Sequence, residues 1–157
     1  MPPDPKGPTR FRIDWVLHGE LALGPAPRRP EHLSQLEAQG IGAVLSLCSS
    51  EEWPLLAGLE QRFLWHRHPL PDHRSGRDPS LEELEAALAL AIQMRQQRGP
   101  LFVHCIAAME RSPLLCLAWL KRRRRLSRLQ ALDYLMQVHP GTMPLPGQLS
   151  LLDQLSQ

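Results

Sequence analysis

The segment Leu101–Pro113, LFVHCIAAMERSP, constrains this chain more than any other stretch. A short apolar run follows Gly99-Pro100 and reads as a buried strand, and Arg111-Ser112 open a helix, so Cys105 falls where a strand end meets a helix start. Unpaired backbone N–H groups and the macrodipole at such a start favour an anion, and the junction predicts a phosphate cradle running from His104 to Ser112. The spacing of a cysteine, five residues and an arginine does not select this place, because Cys116 and Arg122 repeat it. Those two lie inside one predicted helix, where six residues advance about 600° and put the side chains on well-separated faces.

Around this junction the sequence predicts an α/β single domain with a central, mostly parallel sheet flanked by helices. Asp14–Leu23 suggests an early strand or hairpin, bounded by Gly24-Pro25. Residues 31–39 present Leu33 and Leu36 at helical spacing and stop at Gly40, a residue suited to the left-handed position past a helix end. Ile41–Cys48, Phe63–Leu70 and Leu101–His104 read as strands, the first buried on both faces. Ser80 and Glu83 form a capping box for a helix to about Gln97, whose apolar face is Leu81, Leu84, Leu88, Ala91 and Ile92. Helices are expected from Ser112 to about Arg125 and from Ser127 to about Val138, with a tail after the break Pro144-Leu145-Pro146-Gly147.

The 157 residues suffice for one domain, expected over residues 11–157 behind a flexible proline-rich leader at 1–10. Apolar residues make up 43% and charged residues 22%, which argues against disorder and against a membrane protein. The longest apolar stretches, Leu81–Met94 and Pro113–Leu120, are too short to span a bilayer, and the start of the chain lacks the apolar core of a signal peptide. A cytoplasmic location without membrane attachment is expected. Three irregularly spaced cysteines form neither a disulfide framework nor a zinc pattern. Six of the 18 cations sit in Lys121–Arg128, leaving 12 against 16 anions elsewhere, so the formal charge of +2 is local.

Each residue of the junction suits phosphate chemistry. The helix-start field favours the Cys105 thiolate, the nucleophilic form. Arg111 offers a planar, permanently charged fork for two phosphate oxygens. Ser112 is placed to donate a hydrogen bond to the cysteine sulfur. The departing oxygen then needs a proton from a general acid. Asp72, in Pro69-Leu70-Pro71-Asp72 directly after a predicted strand, is favoured over Asp78, which precedes Pro79 and the helix cap.

From Trp15 to Leu152 the chain resembles the dual-specificity branch of the protein tyrosine phosphatase superfamily. Val103-His104-Cys105 followed by Arg111-Ser112 is similar to its His-Cys-x5-Arg-Ser signature, Gly40–Leu47 to its early core strand, and Pro69–Asp72 to its general-acid loop. The helix around Ser127–Tyr134 resembles its penultimate helix. The acid also precedes the cysteine, as in that branch, whereas low-molecular-weight tyrosine phosphatases reverse the order. The resemblance implies a phosphoprotein phosphatase that needs no metal or cofactor and works through a phosphocysteine. It also implies that Ile106, Ala107, Ala108, Met109, Glu110 and Arg111 bind phosphate. Two positions depart from it. Ala108 stands where the family usually has glycine, and a positive φ there would cost about 1 kcal/mol or more. Glu110 adds a carboxylate, expected to aim at solvent.

Other conspicuous residues have plainer readings. His104 should face away from the chemistry and orient the loop by hydrogen bonding. Cys48 and Cys116 read as core residues, with nothing in the sequence placing either near Cys105 for a redox partnership, and His66, His68 and His73 read as a polar loop rather than a metal site. The Lys121–Arg128 run reads as a solvated patch that compensates a helix dipole, with no nucleic-acid partner expected. Besides catalysis, two readings stay open: a phosphate-binding module weakened by Ala108 and Glu110, and a scaffold acting through the basic helix end.

Overall fold

The computed structural model describes residues 10–155; all of the predicted leader but Arg10 lies outside them. Five strands form one sheet: β1 (Asp14–Leu17), β2 (Leu21–Gly24), β3 (Ala43–Ser46), β4 (Leu64–Arg67) and β5 (Leu101–His104). Their spatial order is β1-β2-β5-β3-β4, antiparallel only between β1 and β2. The strand that leads into Cys105 is therefore the central one.

Helices α1 (Pro30–Ala38) and α2 (Leu59–Arg62) pack on one face of the sheet; α3 (Leu81–Arg98), α4 (Arg111–Arg124), α5 (Arg128–Val138) and α6 (Pro146–Gln154) pack on the other. Because side chains alternate along a strand, each central strand feeds both cores. Leu101 and Val103 join Leu21, Leu23, Ala43 and Leu45 on the α3–α6 side, while Phe102 joins Ala22 and Val44 on the other. Burial on both faces explains why these strands read as continuous apolar runs.

Ser80 and Glu83 make the expected capping box on α3, Ser127 and Gln130 cap α5, and Gly40 takes φ +83° after α1. Several expectations need correction. The strand expected over Phe63–Leu70 is only Leu64–Arg67, and the single turn α2 before it was too short to show a periodicity. The proline-rich stretch read as a break contains the start of α6, because proline is tolerated in a helix's first turn. Residues Arg111–Lys121 of α4 are all buried, so this helix is a core element and its basic end is not one solvated patch. Lys121 donates to the carbonyl of Leu152, Arg122 pairs with Glu85 at 3.0 Å, Arg124 with Glu20 at 3.0 Å, and Arg128 with Asp153 at 2.8 Å. Among the described residues no helix is long and apolar enough to cross a membrane.

Candidate active site

Between the end of β5 and the start of α4, every carbonyl of the connecting loop but that of Ala107 is claimed by a protein donor among the described residues. His104 O accepts from Leu47 N at 2.9 Å, Ile106 O from Ala26 N at 3.0 Å, Met109 O from Met143 N at 2.8 Å and Glu110 O from Leu114 N at 2.9 Å. His104 Nδ1 donates to Cys105 O at 2.8 Å, and His139 Nε2 donates to Ala108 O at 2.6 Å. Among the described residues, no protein group accepts from the amides of Ile106 to Glu110. A loop whose carbonyls are mostly occupied and whose successive amides lack protein acceptors, ending at a helix start, has the donors an anion requires. Ala108 sits inside it at φ 60° and is fully buried, so alanine does occupy a left-handed position.

Cys105 is 3% exposed at the floor of a cleft of about 240 Å³, with its Sγ 3.3 Å from the Ser112 hydroxyl. Arg111 reaches the same cleft with its side chain 4% exposed. Its guanidinium forms a two-pronged pair with Glu52, at 3.0 and 2.9 Å, and donates to the carbonyls of Leu47 and Leu70, each at 3.3 Å. Burial opposes the charge on Arg111, but the bond to Glu52 and the nearby negative charges of Cys105, Glu52 and Asp72 together outweigh it and the pKa is raised. Burial likewise pushes Glu52 up, and Arg111 together with the Ser49 amide holds it below the usual carboxylate range.

Asp72 lies across the cleft, its Oδ2 3.8 Å from Arg111. It caps a single 3₁₀ turn, His73–Ser75, by accepting from Arg74 N at 3.0 Å and Arg74 Nε at 2.9 Å. Burial pushes its pKa up, yet the Arg74 bonds and the Arg111 charge outweigh burial and leave it lowered. Asp78 is elsewhere, against the first turn of α6, where a Cβ on Gly147 would fall 1.9 Å from Asp78 Oδ2. Glu110 does not aim at solvent as expected. It lines the cleft and is clamped by His73 Nδ1 at 2.5 Å and Gln148 Nε2 at 3.3 Å, so it ties the phosphate loop to the segment carrying Asp72.

Beneath the loop, Trp65 Nε1 donates to Ser46 Oγ at 2.9 Å, and Ser46 lies 2.6 Å from His104 Nε2. Because an indole only donates, the serine hydrogen goes to Nε2 and Nδ1–H is left for Cys105 O, which fixes a neutral imidazole. Burial agrees, pushing the His104 pKa down to about 4. Cys48 and Cys116 are both buried core residues, as expected, and Cys48 also approaches the backbone of Cys105. The Cys48 Sγ lies 3.9 Å from the Cys105 carbonyl, and burial pushes the thiol up to about 12, so it is a protonated weak donor. Glu52, Arg74 and His139 escaped the sequence reading because they reach the loop only through the fold. Among the described residues, no three His, Cys, Asp or Glu side chains group as a metal site.

Residues 22–157 match the dual specificity phosphatase catalytic domain. The chain belongs to the dual-specificity phosphatase family. The fold of this dual-specificity phosphatase domain is shared by Tk-PTP in its active form, at 24% identity and TM-score 0.78, over 91% of this chain and 95% of that one. PTPMT1 in complex with PI(5)P is similar at 19% identity and TM-score 0.78, over 91% and 93%. Human tyrosine phosphatase-like serine/threonine/tyrosine-interacting protein matches at 19% identity and TM-score 0.78, over 90% and 93%.

Proposed function

We propose that this domain is a metal-independent phosphomonoesterase acting on phosphoproteins through a phosphocysteine. The observation that carries the reading is the ring of occupied carbonyls and unclaimed amides from Ile106 to Glu110, set between the Cys105 thiol and Arg111. The Cys105 thiolate, favoured by the start of α4, attacks phosphorus and forms the S–P bond. The loop amides and Arg111 hold the phosphoryl oxygens through the transition state. Asp72 protonates the departing oxygen as the P–O bond breaks, and then takes a proton from the water that cleaves S–P. Ser112 donates to the sulfur as it leaves.

The cleft favours a single phosphate on a polypeptide. Ile106, Ala107 and Met109 bring no cation beyond Arg111, and Arg74 at the rim is paired with Asp72 and Glu52. Although PTPMT1 was solved with PI(5)P, a polyphosphorylated headgroup finds no lysine in this loop. Met109 and Met143, 43% and 61% exposed and joined by a backbone hydrogen bond, offer apolar contact to residues flanking a phosphotyrosine, phosphoserine or phosphothreonine.

The competing reading, a phosphate-binding module without turnover, draws on the left-handed Ala108. Hydrolysis of an aryl phosphate in the presence of a chelator separates the two. Turnover by wild type that is lost in Cys105→Ser supports the enzyme, and equal rates for the two proteins overturn it.

A further inference from the structure

His139, 1% exposed just past the end of α5, has no part in the chemistry above, yet it touches the phosphate loop. Its Nε2 is 2.6 Å from Ala108 O and its Nδ1 is 2.5 Å from Asp14 Oδ2. Both neighbours are acceptors, so both ring nitrogens donate only when the imidazole carries two protons. Asp14, on β1, supplies the opposite charge and is itself paired with Arg12 at 3.1 Å. The competing cation is Arg12, which shares Asp14 Oδ2 with His139 and whose guanidinium flanks Gly141 close to His139 Nε2; the loop brings a backbone oxygen, and Thr142 bonds His139 O.

Ala108 is the loop residue in a conformation that side chains resist, and its carbonyl is the group His139 grips. We propose that His139, charged against Asp14, is a positioning residue of the phosphate loop, holding the Ala108 carbonyl outward so that an alanine keeps the left-handed turn a glycine would adopt unaided. A charge-assisted bond from a buried imidazolium is strong enough to offset the local strain. The inference rests on the phosphate-cradle reading and adds to it a residue 31 positions beyond Ala108 that the Cys-x5-Arg pattern does not contain.

The test is binding of sulfate, whose charge is constant near neutral pH, measured by calorimetry on the full chain in a Cys105→Ser background. His139→Ala should weaken sulfate binding about tenfold or more, as expected for loss of a hydrogen bond to a charged group. Asp14→Asn should weaken it less, and His139→Ala combined with Ala108→Gly should recover most of the loss. His139→Gln, which is uncharged and donates from one nitrogen only, replaces His139→Ala if that variant unfolds thermally below the assay temperature. Unchanged binding in His139→Ala, or the same loss with alanine and with glycine at 108, would overturn the proposal while leaving the cradle standing. Absence of sulfate binding even with His139 intact would remove both.

Discussion

Arg111 and Glu52 meet in a two-pronged ion pair, at 3.0 and 2.9 Å, with the arginine side chain 4% exposed beside Cys105. A carboxylate from the loop after β3 thus fixes the plane of the guanidinium before any phosphate arrives. Glu52→Ala should raise KM for a phosphomonoester and lower kcat/KM by about tenfold to a hundredfold, the range expected when a hydrogen bond to a charged group is lost. Steady-state kinetics beside a thermal melt would show the loss in molecules that remain folded.

His104 makes stability depend on pH. Its pKa is about 4 when folded against 6.5 for an unperturbed imidazole, so between those limits the unfolded chain binds a proton that the folded chain refuses. The contribution is complete above pH 6.5 and is lost as pH falls toward about 4, amounting to about 3 kcal/mol at most. Urea unfolding at several pH values should show this slope, and His104→Asn, which keeps a donor near the Cys105 carbonyl, should flatten it.

Asp72 and Asp78 separate by leaving group. Asp72→Asn should lower kcat by about a hundredfold or more on alkyl phosphates and much less on aryl phosphates whose phenol leaves readily, while Asp78→Asn changes little. Arg74 contributes to the lowered pKa of Asp72, so the acid form is lost early as pH rises. Arg74→Ala should lift that pKa and move the descending limb of the kcat–pH profile to higher pH.

Glu110 puts a carboxylate into the cleft that the proposed mechanism fills with a phosphate. In Glu110→Gln the repulsion disappears, and KM should fall about threefold to tenfold, with the gain shrinking as salt is added. Kinetics at low and high ionic strength would check both the sign and the salt dependence.

The cradle was legible because its logic is local. A buried strand, a cysteine, and an arginine that opens a helix are adjacent in sequence, and the context that chose Cys105 over Cys116 is a matter of element order. The position of strain was legible too, since a missing glycine marks Ala108. Its partners were not, because Glu52, Arg74 and His139 reach the loop through tertiary packing that leaves no periodic trace. The fate of Glu110 depended on His73 and Gln148, from a 3₁₀ turn and from α6. The basic run was read correctly only in part: Arg123, Arg124 and Arg125 are exposed, but Lys121 is buried because the core-facing stretch of α4 extends to it.

The central claim is a covalent phosphocysteine at Cys105. The direct measurement is rapid acid quench of Ser112→Ala mixed with an aryl phosphate, followed by mass analysis of the peptides, because weakening sulfur departure should let the intermediate accumulate. The account predicts one phosphoryl group on the peptide carrying Cys105, formed at the rate of the phenol burst and absent when Cys105→Ser is added. Continued phosphate release with no adduct, or an adduct on another residue, would contradict it.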